Sequence, residues 1–173
     1  MPHRRAAFAV CIAIFLFALP AAAAEKLVGG DVPPDFVGVD AEGRDVRISD
    51  SRGKVVALVF WASWCGRCRA ELPLLEKLQV GMGREHLHVI GVNFKESTRD
   101  YRRLRRALKY TMTLTHDPDG VIGEAYNVNG IPHLVLIDRA GKIAYINVGF
   151  NDETTPPKLV QQFNELLNEK PPG

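Results

Sequence analysis

The sequence predicts an α/β protein in which helices cover both faces of a mixed β-sheet, with a short β-hairpin added at the N-terminal side. One observation is the run KVVALVFW at residues 54–61, which is apolar at nearly every position, as in a strand buried on both faces. The other is the order of the segments from residue 54 onward: strand, helix, strand, helix, strand, strand and helix. No internal repeat or linker interrupts this order, so we expect one domain.

The added hairpin is predicted from alternating apolar and polar residues at 35–39 and 44–48, around the turn Ala41-Glu42-Gly43. A helix should follow the strand at 54–61, with Ser63 near its N-cap and its end near Gly81. Its inner side would carry leucines at 72, 75 and 78.

A second buried strand is predicted at residues 87–93, and an amphipathic helix at 98–109, with Tyr101, Leu104 and Leu108 on its inner side. A short helix should start after Asp117-Pro118 and end near residue 126.

Residues 134–138 and 143–149 are expected to form an antiparallel hairpin. Pro156 and Pro157 would open the final helix, in which Leu159, Phe163, Leu166 and Leu167 mark one apolar face.

The composition suits one globular domain, because 46% of the 173 residues are hydrophobic and 24% are charged. Residues 1–24 differ: MPHRR is basic, residues 6–19 are almost wholly apolar, and Ala22 and Ala24 form an A-x-A cleavage site. This pattern predicts an export signal, with the folded domain at 25–173. The alternative is an uncleaved anchor, since about 19 apolar residues can just cross a bilayer of about 30 Å. Either reading places the domain outside the cytoplasm, in the periplasm.

Removal of residues 1–24 would also remove Arg4 and Arg5, leaving 20 basic and 20 acidic residues. A net charge of zero gives no support for nucleic-acid binding. One basic run remains on the outer side of the helix predicted at 98–109. It could be a solvated face, or it could dock an acidic partner or anionic lipid head groups. Its members are Arg99, Arg102, Arg103, Arg105, Arg106 and Lys109.

The chain has three cysteines, and one of them, Cys11, lies in the apolar export segment, where we expect no role. Cys65 and Cys68 are therefore left to pair with each other or with the thiols of a partner. At the start of a helix, the Cys65 sulfur would face unpaired backbone N–H groups and the positive end of the helix dipole, which favour thiolate. Cys65 is thus the predicted attacking thiol. Cys68, about one turn further on, is the predicted resolving thiol and should be more buried.

Three motifs resemble the thioredoxin superfamily, and within it the exported thiol-disulfide oxidoreductases of the TlpA/ResA type. They are PPDFVGVDAEGRDVRISDSRGKVV, WASWCGRCRAELP and GIPHLVLIDRAGKI, and the likeness spans residues 33–167. The resemblance implies a thioredoxin-like fold, a redox-active Cys65–Cys68 disulfide and no cofactor. It also implies that client proteins exchange thiols or disulfides with this pair, as in cytochrome c maturation or copper-site assembly. A membrane electron donor, and possible tethering to the membrane, would follow. The residues expected to bind the client are Trp64, Gly66, Arg67, Ile131, Pro132 and His133.

The sequence departs from the family pattern at the residue before the second cysteine, where Arg67 replaces a proline. Its charge and the missing ring would favour a Cys65 thiolate and a more oxidising potential. The alternative is a solvated arginine that orients a partner. Ile131-Pro132 matches the family's cis-proline site. His133, where relatives often have threonine, could tune the protonation of the thiols or be an ordinary hydrogen-bonded strand histidine.

Val59 occupies the position where cytoplasmic thioredoxins carry a buried aspartate as proton acceptor. Glu96, just past the strand at 87–93, resembles a glutamate that ResA-type relatives place beside the cysteine pair. It is the predicted substitute: a partly buried carboxyl with a raised pKa that takes the proton from Cys68. It could instead be a helix-entry acid beside Ser97 and Thr98.

Four other functions compete with disulfide exchange by a reductase. A zinc site would need four ligands, and no histidine pair is spaced suitably with the cysteines, so we expect no metal. A copper carrier is the second, although the cysteine spacing is one residue shorter than in copper carriers on this fold. A peroxidase lacks the expected proline and threonine before its cysteine. An oxidising, disulfide-forming protein remains the main alternative if Arg67 raises the potential.

Overall fold

The computed structural model describes residues 26–169, so the predicted export segment at 1–24 and Cys11 lie outside the described residues. Among the described residues, no helix is both long enough and apolar enough to cross a membrane. The predicted division of the chain at residue 24 therefore stays a prediction.

The described chain forms seven strands, four α-helices and one 3-10 helix at Ile48–Ser51. The strands are β1 (Phe36–Val39), β2 (Asp45–Arg47), β3 (Val55–Trp61), β4 (Leu87–Phe94), β5 (Thr113–Asp117), β6 (His133–Ile137) and β7 (Ile143–Val148). The helices are α1 (Gly66–Met82), α2 (Thr98–Ala107), α3 (Val121–Ala125) and α4 (Thr155–Asn168).

The main sheet has the strand order β5-β4-β3-β6-β7, in which β3, β4 and β5 are parallel and β6 and β7 are antiparallel to their neighbours. The antiparallel pair β1–β2 forms a separate two-stranded sheet. The predicted mixed sheet and added hairpin are confirmed.

One strand of the main sheet is missing from the sequence-based prediction. Strand β5 was not predicted, because its residues TLTHD include only one aliphatic side chain. Its burial depends on tertiary contacts: the Thr115 hydroxyl donates to the Val37 carbonyl, and the Asp117 carboxylate accepts from the Gly123 amide. Polar contacts of this kind produce no periodic pattern of hydrophobic residues from which a strand could be predicted.

Every residue of β3 is buried, and alternate side chains enter two different cores. Val59 and Trp61 join the core beneath α1 and α4, whereas Leu58 and Phe60 join the core beneath the hairpin and α3. This double burial explains the unbroken apolar run. Gly91 on β4 allows close packing of the first core, because a Cβ there would lie only 3.1 Å from the Trp61 indole nitrogen.

The parallel strands β3 and β4 end together, with Trp61 opposite Asn93, and Phe60 lies opposite His133 at the start of β6. The carboxyl end of β3, the end of β4 and the start of β6 therefore meet at one end of the sheet. Helix α1 starts at this end, which brings both cysteines there.

Candidate active site

The two cysteines form a disulfide at the first turn of α1, with Cα atoms 5.3 Å apart. Cys65 is the N-cap residue, two residues after Ser63, near which the N-cap was expected. Its sulfur accepts a hydrogen bond of 3.1 Å from the Cys68 amide. Cys65 keeps 8% of its surface exposed, whereas Cys68 is fully buried. A thiolate at Cys65 would lie at the positive end of the helix and can be reached from solvent more easily than Cys68.

The surface around Cys65 is formed by residues that the sequence predicted as client contacts. Trp64 is 66% exposed, and Gly66 and Arg67 are also exposed. A shallow cavity of about 330 Å³ opens beside them. It is lined by Gly66, Arg67, Ala70, Phe150, Asn151 and Asp152.

The Arg67 side chain extends toward the turn after β7, since a guanidinium nitrogen lies 4.0 Å from the point that a Cβ on Gly149 would occupy. Among residues 26–169, Arg67 has no acidic partner within ion-pair distance. Its charge is therefore available at the surface next to the disulfide.

The Ile131–Pro132 peptide bond is cis, which confirms the expected cis-proline site. The Pro132 carbonyl accepts a hydrogen bond of 2.8 Å from the Gly149 amide, so the loop before β6 is tied to the turn that Arg67 approaches. The cis-proline loop and the start of β6 thus lie at the same end of the sheet as Cys65.

His133 is not placed where a client could touch its side chain, because only 4% of the residue is exposed. The imidazole packs at right angles to the Phe60 ring, 6.0 Å away, on the face of the sheet opposite to the core that contains both cysteines. Burial lowers the pKa of His133. The structure therefore does not support the predicted client contact for its side chain or its tuning of the thiols.

Glu96 lies in the loop after β4 and binds the segment just before the cysteines. Its carboxylate accepts hydrogen bonds from the Ser63 amide at 3.0 Å, from the Ser63 hydroxyl, and from the Asn93 side chain at 2.7 Å. Burial raises the pKa of this carboxyl, but the hydrogen bonds from Asn93 and Ser63 outweigh burial and the pKa is lowered. The predicted raised pKa of Glu96 is wrong, because three donors stabilise its charge.

The carboxyl group with a raised pKa is instead that of Glu71, which the sequence-based reasoning missed. Glu71 is fully buried in α1, three residues after Cys68, and neither of its oxygens has a hydrogen-bond partner among the described residues. Burial raises its pKa to about 8. The Cβ atoms of residues so spaced in a helix lie about 5–6 Å apart. A group that can exchange protons near neutral pH therefore lies one turn from the buried thiol.

The sequence does contain a signal for Glu71. The buried positions of α1 include Cys68, Leu72, Leu75 and Gln79, which follow one helical stripe, and Glu71 falls on that stripe. An ionisable residue on the inner stripe of a helix, one turn after a cysteine pair, is unexpected in an inert core.

Known proteins resemble this chain in sequence and in structure. Residues 29–146 match the AhpC/TSA family. The chain belongs to that family. It is 33% identical over 120 residues to the thiol-disulfide oxidoreductase ResA of Geobacillus thermodenitrificans, a match that covers 69% of each chain. It is 36% identical over 124 residues to the thioredoxin-like protein YneN of Bacillus subtilis, covering 69% of this chain and 71% of YneN.

Solved structures show the same fold. A candidate thiol:disulfide interchange protein DsbE from Chlorobium tepidum is 36% identical and superimposes with a TM-score of 0.77, covering 83% of this chain and all of that one. The exposed lipoprotein thioredoxin Etrx1 of Streptococcus pneumoniae is 31% identical, with a TM-score of 0.66 over 77% of this chain and all of that one. The fold is thioredoxin-like, and the protein is a thiol-disulfide oxidoreductase.

Proposed function

We propose that this protein is an exported reductase of disulfides in client proteins. The observation that carries the proposal is the Cys65–Cys68 disulfide at the start of α1, in which the less buried cysteine is the N-cap residue and the fully buried one lies a turn from Glu71. Export rests on the sequence of residues 1–24, and clients of the cytochrome c or copper-site type rest on the resemblance to ResA-like proteins.

In the first step, the Cys65 thiolate attacks one sulfur of a client disulfide. A bond forms between Cys65 and that sulfur, the client's disulfide bond breaks, and its other sulfur leaves as a thiolate. The exposed Trp64, Gly66 and Arg67, with the Ile131–Pro132 loop, would hold the client during this step.

In the second step, Cys68 gives its proton to Glu71 in those molecules in which this carboxyl is ionised, and attacks the Cys65 sulfur. The Cys65–Cys68 disulfide forms, the mixed disulfide breaks, and the second client sulfur leaves as a thiolate, so that two electrons have passed to the client. Glu71 suits this role because a pKa of about 8 lies near the working pH. When a membrane electron donor reopens the disulfide, the same carboxyl returns the proton to Cys68.

Glu96 is better suited to hold the loop than to move a proton. Its ionised carboxylate joins Ser63, two residues before Cys65, to Asn93 at the end of β4. We therefore assign Glu96 a positioning role and Glu71 the proton transfer that was predicted for Glu96.

Reduction is favoured over oxidation by the surroundings of Cys68. A disulfide is strongly oxidising when the protein stabilises its reduced form as a thiolate. Here Cys68 is fully buried in an apolar core, and burial disfavours a thiolate at that position. Arg67 acts in the opposite direction, but from the exposed side of the helix.

The reduction potential of the pair tests the direction of electron flow. Equilibration of the protein with defined dithiol and disulfide mixtures should give a reduction potential close to that of thioredoxin, about −270 mV. A reduction potential close to that of DsbA, about −120 mV, would identify an oxidant.

The copper-carrier alternative is weakened by the position of His133, because its ring lies on the other face of the sheet from the sulfurs. In residues 26–169 there is no group of three or more side chains that could hold a metal ion. We expect the purified reduced protein to contain no stoichiometric zinc or copper by mass spectrometry of the metal content. Tight Cu(I) binding that needs both cysteines, with negligible disulfide exchange, would instead identify a carrier.

A further inference from the structure

The outer face of α2 carries a concentration of positive charge that the proposed redox chemistry does not use. We call this set the α2 basic face. It consists of Arg99, Arg102, Arg103 and Arg106, and Lys109 follows just beyond the end of the helix. Arg105, which the sequence placed on the same face, is instead half-buried beside Asp40 and Glu42. The described residues 26–169 contain 19 basic and 19 acidic residues, so this face is a local excess on a domain with no net charge.

The α2 basic face is almost free of counter-charges. The only ion pair it makes within residues 26–169 is that of Arg103 with Asp100, at 4.0 Å. Several of its members lie three or four residues apart on the helix, a spacing at which like charges destabilise it. The folded protein therefore carries a repulsion that a negatively charged surface would relieve.

Helix α2 is held to the domain from its other side, which leaves the basic face to solvent. Tyr101 is buried and stacks on the His116 ring at 4.4 Å, while Leu104 and Leu108 pack against the core beneath α1. Arg99, Arg102, Arg103, Arg106 and Lys109 are all exposed.

We infer that the α2 basic face binds the surface of an anionic lipid bilayer. Stable protein interfaces are centred on buried aromatic or apolar anchors, and no large apolar side chain of α2 is exposed between the arginines. A layer of lipid phosphates needs no such anchor, and guanidinium groups match phosphate oxygens in geometry. An array of arginines without a shaped pocket suits that layer better than an acidic protein.

Binding in this way would bring the active site close to the membrane. The helix begins at Thr98, two residues after Glu96, whose carboxylate is bonded to Ser63 in the cysteine loop. The start of α2 and the disulfide thus lie at the same end of the sheet. This inference extends the proposed function, since a membrane electron donor would meet a disulfide that is held at the bilayer.

The test is sedimentation of the full chain with vesicles of phosphatidylglycerol and phosphatidylcholine, compared with vesicles of phosphatidylcholine alone. The comparison is needed because the apolar residues 6–24 could insert into both kinds of vesicle. We expect tighter binding to the anionic vesicles. The excess of this binding over binding to phosphatidylcholine vesicles should disappear as salt is added.

The triple variant Arg102→Gln, Arg103→Gln, Arg106→Gln should lose most of that excess, at about fivefold in partitioning for each charge removed. A matched control removes the same charge from exposed lysines elsewhere, as Lys77→Gln, Lys142→Gln, Lys158→Gln, and should retain the excess. Both triple variants should keep their thiol content and disulfide exchange in solution, because none of these residues touches the active site.

The inference is overturned if wild-type protein shows no preference for anionic vesicles, or if the two triple variants lose the preference equally. It is also overturned, in favour of an acidic protein partner, if cross-linking through α2 captures such a protein while the vesicles show no preference. None of these outcomes bears on the reductase function, which the reduction potential tests separately.

Discussion

The replacement of Glu71 by glutamine gives the sharpest test of the buried carboxyl. Burial moves its pKa from an ordinary 4.5 to about 8, and this difference corresponds to about 5 kcal/mol of proton-linked free energy. Because the folded pKa is raised, Glu71 is compatible with the fold while protonated, and stability is lost as the pH rises from the unfolded value through about 8. Between about pH 5 and about pH 9, that loss amounts to about 4 kcal/mol.

Glutamine copies the shape of the protonated acid and cannot ionise. We therefore expect Glu71→Gln to remain nearly as stable at high pH as at low pH, apart from changes that it shares with the wild type. Urea unfolding of the oxidised proteins at several pH values measures the free energy of unfolding of each. The contributions of all other groups cancel in the difference between the variant and the wild type. A control, Glu85→Gln, removes a carboxyl whose side chain is 71% exposed and should keep the wild-type pH dependence.

A second readout separates the chemical role of Glu71 from its effect on stability. Loss of the proton acceptor should slow the attack of Cys68 on the mixed disulfide by about 10²-fold or more and leave the first attack by Cys65 nearly unchanged. If Glu71→Gln and the wild type lose stability in parallel as the pH rises, Glu71 is not buried in its neutral form and the reasoning fails.

Two further predictions concern Arg67 and His88. Arg67→Pro should lower the reduction potential of the cysteine pair, and a change of about 30 mV corresponds to about 1.4 kcal/mol. Arg67→Gln should produce only the part of that change that salt screens. Unchanged potentials in both variants would leave Arg67 as a docking residue. Burial, with the charges of Arg84 and Lys54, lowers the pKa of His88 from 6.5 to about 4. Because the folded pKa is lowered, stability is lost as the pH falls from about 6.5 through about 4, by up to about 3 kcal/mol. In urea unfolding, His88→Gln should lose less stability than the wild type as the pH falls through this range. An equal loss in the two proteins would contradict the assignment.

The elements that the sequence predicted are those in which the pattern of apolar residues along the element itself indicates which side chains are buried. Strand β3 is apolar throughout because both of its faces are covered, and the helices were placed by their apolar stripes within a few residues of the observed ends. Strand β5 was missed because its buried members are Thr115 and Asp117, which are satisfied by bonds to the hairpin and to α3. Such partners are far away in the sequence and cannot be read from a local pattern.

The site divides in the same way. The helix-start cysteines were predictable from their local spacing, and the cis-proline from the resemblance to the thioredoxin superfamily. The raised pKa was expected for Glu96 instead of Glu71 because the number of donors around a carboxylate is a tertiary property. His133 was expected beside the thiols. Side chains alternate between the two faces of the sheet along β6, and the His133 ring lies on the face opposite to the cysteines.

The central claim is that Cys65 attacks and Cys68 resolves, and trapping of the mixed disulfide tests it most directly. Cys68→Ser lacks the resolving thiol and should accumulate a covalent complex with a client through Cys65, visible by non-reducing electrophoresis and mass spectrometry. Cys65→Ser keeps only a thiol at a fully buried position and should trap little. Equal trapping by the two variants, or trapping by neither, would contradict the assigned roles.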